Sequence, residues 1–254
     1  MNRKLIRSRC ALRLILTLVP ALAASPGLAG DNSVGIDINS AYVWRGITLN
    51  DGAVIQPWLE ASLPAGISIG AWANVDLDDY DNSFEEGDCS EVDFTLSHTR
   101  EVGPVELGIG YAEFLYPHQG DTNGATAGTR EISASVSTVV AKGLSLSASL
   151  MFDIDEVDDL YAVFGATYET AVNDQLTVTI KAVAGWAGED WSEYNSGGTD
   201  GGLHDYRLSL TGAYGVTDTL ELGAGVSYVD SLDEDVLPDQ DVDVYGGVSV
   251  SYGF

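Results

Sequence analysis

From residue 33 onward, apolar and polar positions alternate with a period of two, segment after segment. In 143–154, Leu144, Leu146, Ala148, Leu150, Phe152 and Ile154 share one face, and Ser145, Ser147, Ser149, Met151 and Asp153 share the other. In 175–186, Leu176, Val178, Ile180, Ala182, Ala184 and Trp186 oppose Gln175, Thr177, Thr179 and Lys181. Side chains of a strand alternate faces, so each segment is an apolar ribbon backed by a polar one. The alternation, broken by turn residues, predicts about twelve strands. They lie near 33–46, 53–63, 66–77, 91–100, 105–115, 130–140, 143–154, 159–170, 175–186, 205–215, 219–229 and 242–254.

The polar faces are small: Ser, Thr and Gly with single charges. A soluble sandwich would carry large charged residues on its outer faces and bury the apolar ones. A transmembrane barrel does the reverse, with the apolar face toward lipid and the small polar face toward a lumen. The segment lengths suit a tilted crossing, which takes roughly 9–11 residues. The connections alternate in length. Short ones fall at 64–66, 101–104, 141–143, 171–174 and 216–218; longer ones fall at 47–52, 78–90, 116–129, 187–204 and 230–241, with 155–158 a short exception. Short periplasmic turns and longer outer loops are the habit of outer-membrane barrels. The expectation is an all-β, antiparallel, up-and-down transmembrane β-barrel of about 12 strands, with both ends on the short-turn side.

Residues 1–29 read as a secretory signal peptide. Arg3, Lys4, Arg7, Arg9 and Arg13 precede a short apolar run, and Gly27-Leu28-Ala29 offers a small-residue cleavage site. Residues 30–254 then form one barrel domain. Five of the 11 basic residues and none of the 39 acidic ones lie in the leader, so the remainder carries a net charge of about −33. Such a balance excludes nucleic-acid binding, which needs a basic footprint, and it draws cations to the surface. Cys10 leaves with the leader and Cys89 reads as a loop thiol, so no disulfide framework exists.

The acid gathers in the longer loops. Asp78, Asp79, Asp81, Glu85 and Glu86 are the candidate acidic rim, with further groups at 153–159 and 230–243. Oxygen-rich loops can hold divalent cations, but an EF-hand frame from Asp76 has Tyr80 at a ligand position and Asp81 where Gly is required. No metal site, cofactor or catalytic residue is expected: His98, His118 and His204 lack metal spacing, and no nucleophile elbow or phosphate loop occurs. By parity Arg45, Lys181 and Arg207 point inward with Glu60, Glu91, Asp93, Glu131, Glu169 and Glu221. Charges in such a lumen should pair, Arg45 with carboxylates such as Glu91 or Asp93. A pore constriction and a structural plug both fit.

Tyr42-Val43-Trp44-Arg45-Gly46-Ile47-Thr48-Leu49-Asn50-Asp51-Gly52, followed by Val54-Ile55-Gln56, resembles the opening motif of the proteobacterial TorF-like porins, the Gcw_chp family. Gly70 to Asp76 and Glu91-Val92-Asp93 are similar to its next landmarks, whereas Trp44 stands where Phe is usual and Pro57-Trp58 where Gly-Gly is usual. The ending, Val242 to Phe254, resembles the terminal strand of bacterial outer-membrane barrels, which implies that Phe254 is part of the assembly signal. The resemblance implies an outer-membrane barrel and supplies no substrate. The expected partners are outer-membrane lipid and the barrel assembly machinery, in a Gram-negative envelope. The expected role is a porin passing small, preferentially cationic solutes. The alternative is a closed barrel whose acidic loops serve envelope structure or divalent-cation binding, and an outer-membrane hydrolase is the distant third.

Overall fold

The computed structural model describes residues 32–80, 84–117 and 128–254. The leader at 1–29, Asp81 and His118 lie outside the described residues. In chain order the strands are β1 (Ser33–Asn39), β2 (Tyr42–Trp44), β3 (Ile47–Asn50), β4 (Val54–Leu63), β5 (Ile67–Asp76), β6 (Cys89–Val102) and β7 (Val105–Leu115). They continue as β8 (Gly128–Ala141), β9 (Leu144–Asp153), β10 (Leu160–Ala171), β11 (Leu176–Ala187), β12 (Gly202–Gly215), β13 (Leu220–Ser231) and β14 (Val244–Gly253). One helix, α1 (Glu189–Ser196), lies between β11 and β12.

Twelve of these strands form one closed antiparallel barrel in which β4 to β14 pair in sequence order and β1 joins β14 to β4. Every strand therefore has two neighbours, and no backbone edge is left for lipid to solvate. The seam is continuous: Ser33 faces Gly253 and Asn39 faces Gly247 on one side, while Ser33 faces Glu60 and Asn39 faces Val54 on the other. Asn32 extends it, donating from Nδ2 to the Phe254 carbonyl at 3.3 Å and accepting from the Phe254 N–H at 3.0 Å.

The apolar ribbons face outward. Ile109 is 65% exposed, Phe164 56% and Val248 57%, a density of bare aliphatic surface that water does not tolerate and a bilayer requires. Tyr168, Tyr214 and Tyr252 mark this surface near the short-turn end; Phe152, Trp186 and Tyr228 mark it near the loop end. These are the two aromatic girdles of a membrane barrel. The small polar ribbons line the lumen: Gly108, Gly110, Ser133, Ser135, Ser147 and Gly165 form a stretch of wall with almost no side-chain bulk.

The first strand differs from the sequence reading. The segment read as one strand over 33–46 leaves the barrel at Asn39, and 42–50 folds back as a separate two-stranded sheet, β2–β3. Tyr42 and Trp44 keep the alternating pattern because a hairpin has the same period as a barrel strand, so periodicity alone could not separate them. Cys89, read as a loop thiol, is buried at the start of β6.

Candidate functional site

The β2–β3 hairpin turns through Arg45-Gly46, with Trp44 paired to Ile47. Both turn residues have positive φ, 50° and 85°, the pattern of a type I′ hairpin. Arg45 takes a left-handed conformation that usually falls to Asn or Gly, at a cost of about 1 kcal/mol or more. Contacts offset that cost. The guanidinium makes a bidentate pair with Glu131 of β8, at 2.7 and 2.6 Å, with side chains only 12% and 5% exposed. It also lies over the rings of Trp44, Tyr161 and Trp191, at 4.3, 4.8 and 5.5 Å from their centroids. A planar, weakly hydrated cation suits this combination of fork and aromatic faces better than an ammonium would.

The hairpin crosses the lumen near its loop end and is tied around the circumference. Tyr42 donates to Glu91 of β6 at 2.8 Å, and Asn50 donates to Asp76 of β5 at 2.8 Å. Asn74 extends that second tie, donating to Asp76 and Ser90 and accepting from Gln56 of β4. Thr48 donates its N–H to Gln240 at 2.9 Å, and Gly46 packs so closely that an added Cβ would stand 2.6 Å from Asp205 Cβ on β12. Burial raises the Tyr42 phenol well above its ordinary pKa, and Glu91 and Asp93 add to the shift, so the hydroxyl remains a donor.

An apolar core sits beside the hairpin. Ile47, Tyr161, Ala187, Trp191, Val236 and Leu237 are all buried, with Trp44 and Met151 packed against them. Trp191 comes from α1, whose N–H at that residue is capped by Asp159 Oδ2 at 3.0 Å. Ser192 donates to the Val236 carbonyl at 2.6 Å, locking α1 to the 232–243 loop. The loop end of the lumen is thus filled by three pieces of chain, the hairpin, α1 and 233–240, packed as a small protein core.

Of the residues expected to face inward, Glu60, Glu91, Asp93, Glu131, Glu169, Lys181, Arg207 and Glu221 occupy inward positions on barrel strands. Arg45 does not: it belongs to the hairpin tip, and its partner is Glu131 rather than Glu91 or Asp93. Lys181 and Arg207 are diagonal neighbours on β11 and β12, and among the described residues neither has a carboxylate within ion-pair distance. Glu60 and Asp93 share a cavity with Trp58 and Trp72, and Glu221 shares another with Asp37, Asn39 and Tyr245, both in the lumen wall.

In the acidic rim, Asp78 accepts the Asp79 N–H, Asp79 accepts the Glu86 N–H and Asp88 accepts the Glu85 N–H, so these carboxylates shape their own loop. Asp153 does the same, accepting from the N–H groups of 155, 156 and 157. Among the described residues, no three His, Cys, Asp or Glu side chains gather as a metal site.

His204 is fully buried, edge-on to Tyr161 and Trp191. Its Nδ1 is 3.1 Å from Asp205 Oδ1, which also accepts from Tyr161 at 2.5 Å. Among the described residues its Nε2 has no hydrogen-bond partner. Sequence reasoning missed the hairpin, α1 and Trp191. The Arg45-Gly46 turn lacks the usual Asn-Gly signal. The helix had readable marks in Glu189 and Asp190 in its first turn and Gly197 in the left-handed cap position.

The chain matches a protein-family model described as "Bacterial protein of unknown function (Gcw_chp)" over residues 23–237. No curated protein matches it. Among solved structures it is similar to the KdgM porin, at 11% identity and a TM-score of 0.55, covering 87% of this chain and 99% of that one. It is similar to the NanC porin, at 9% identity and a TM-score of 0.53, covering 88% and 98%. It is also similar to the COG4313 outer membrane channel from Pseudomonas putida F1, at 11% identity and a TM-score of 0.54, covering 89% and 96%. At these identities the likeness speaks to the barrel fold.

Proposed function

From the premise that this chain belongs to the Gcw_chp family, we propose that it is an outer-membrane channel for small, preferentially cationic solutes, with the β2–β3 hairpin as its plug. The observation that carries this reading is a closed twelve-strand barrel whose wall is lined by Ser, Gly and Thr but whose loop end is filled by a separately folded hairpin. A barrel serving only as an anchor has no need of a hydrophilic wall with so little side-chain bulk. The likeness to the KdgM and NanC porins and to an outer membrane channel supports the class. The charge supports the selectivity. An excess of carboxylates at the loop rim makes a negative potential that concentrates cations and fades with salt, as the screening length falls from about 30 Å at 0.01 M to about 3 Å at 1 M.

Reversal potentials across a planar bilayer in a KCl gradient test this. Cation preference is expected at low salt, declining as salt rises. Neutralising Asp78, Asp79, Asp81, Glu85 and Glu86 together should reduce the preference without unfolding the barrel. Anion-selective current would overturn the selectivity. A permanently closed barrel is the second reading, favoured by the bidentate Arg45–Glu131 tie; it expects no current and a melting temperature raised by divalent cations.

A further inference from the structure

A cavity of about 320 Å³ opens beside the hairpin, with Tyr42, Trp44, Phe84, Glu91, Tyr116 and Tyr194 in its lining. Five of the ten lining residues are aromatic, drawn from β2, the 77–88 loop, the end of β7 and α1, and the others are two aliphatic residues, two small polar ones and Glu91. Glu91 is only 5% exposed, and it stands on β6. Asp93 follows on the same inward face of β6 but lines the neighbouring cavity with Trp58 and Trp72. The nearby base, Arg45, is committed with both terminal nitrogens to Glu131. Among the described residues, neither Glu91 nor Asp93 has a basic side chain within ion-pair distance.

Glu91 is buried with the Tyr42 hydroxyl as its donor and no base at ion-pair distance among the described residues, and a carboxylate so placed favours a cation in the adjoining space. The ring faces around it decide which kind. A hard metal ion takes six or more oxygen ligands, and among the described residues no three acidic or metal-ligating side chains converge here. Aromatic faces carry negative potential and shed water easily, which suits a cation whose charge is spread over methyl or methylene groups. The cavity volume is at the lower end of small-molecule sites. We infer that this cavity binds a small alkylammonium cation, with Glu91 opposite the charge and Tyr116 and Tyr194 around its alkyl groups.

The inference deepens the channel proposal by naming a solute class, but binding does not require conduction, so the two can fail separately. The experiment is isothermal titration of the whole folded protein in detergent with tetramethylammonium chloride, against sodium chloride at the same ionic strength. Two variants accompany it. Glu91→Gln keeps an acceptor for the Tyr42 hydroxyl and removes the charge; Tyr116→Leu with Tyr194→Leu removes two ring faces outside the barrel wall. Heat-modifiable gel mobility shows which variants have folded. The expected result is saturable one-site binding of tetramethylammonium, no such signal with sodium, and affinity weakened roughly tenfold in each variant. Glu221→Gln, remote in the lumen, should bind like the wild type. Equal signals from the two salts, no saturable signal, or wild-type affinity in either folded variant would overturn it.

Discussion

At Arg45 a left-handed backbone, a buried carboxylate and three aromatic rings meet on one side chain. Removing one member of a buried ion pair costs more than the pair itself contributes, because the survivor stays desolvated. Arg45→Met should therefore destabilise the protein by about 3 kcal/mol, with Glu131 left charged and nearly water-free. Arg45→Met with Glu131→Gln should recover much of that loss. Urea unfolding in lipid vesicles measures both. A single variant as stable as the wild type would show that the pair does not hold the hairpin. Parity in the sequence placed Arg45 on a barrel strand, where the structure has a hairpin turn, and could not choose its partner. The hairpin carries the guanidinium across the lumen, away from Glu91, and that displacement depends on a turn whose residues do not announce it. Burial of His204 between Tyr161 and Trp191 was equally hidden, since neither ring is near it in sequence.

Among the elements, the barrel strands were the most legible part of the chain. A period of two, small polar residues opposite apolar ones, and turn residues between them (Gly or Pro at three of the five short turns, Asn-Asp and Thr-Asp at the other two) specify each crossing almost by themselves. The long loops were the least legible, because their order comes from one another. β2–β3 is held by hydrogen-bonding side chains from three barrel strands, and α1 is only eight residues, too short to be stable alone. The final strand tests the assembly argument. Phe254 completes the seam through its paired bonds with Asn32 and stacks near Tyr252, with ring centroids 6.5 Å apart. Removing Phe254 should leave the lumen and loops intact while lowering the yield of inserted barrel, read as the heat-modifiable fraction on a gel. An undiminished fraction would mean that this residue plays no part in assembly.

For the whole molecule, the barrel and the β2–β3 hairpin are nearly separable. Asn39 and Val54 are register partners across β1 and β4, so the chain between them leaves the wall and returns to the same place. The twelve-strand ladder would survive replacement of residues 40–53 by a short glycine-serine turn. What such a change removes is the hairpin, with Arg45, Tyr42 and Asn50 and the ties they make to β8, β6 and β5. The direct measurement is the single-channel current of the wild type beside that of the short-turn variant, in planar bilayers under identical salt. The wild type should give small or rare steps, and the variant frequent steps several-fold larger that remain cation-selective. Equal currents from the two proteins, or no current from a folded variant, would contradict a channel plugged by this hairpin.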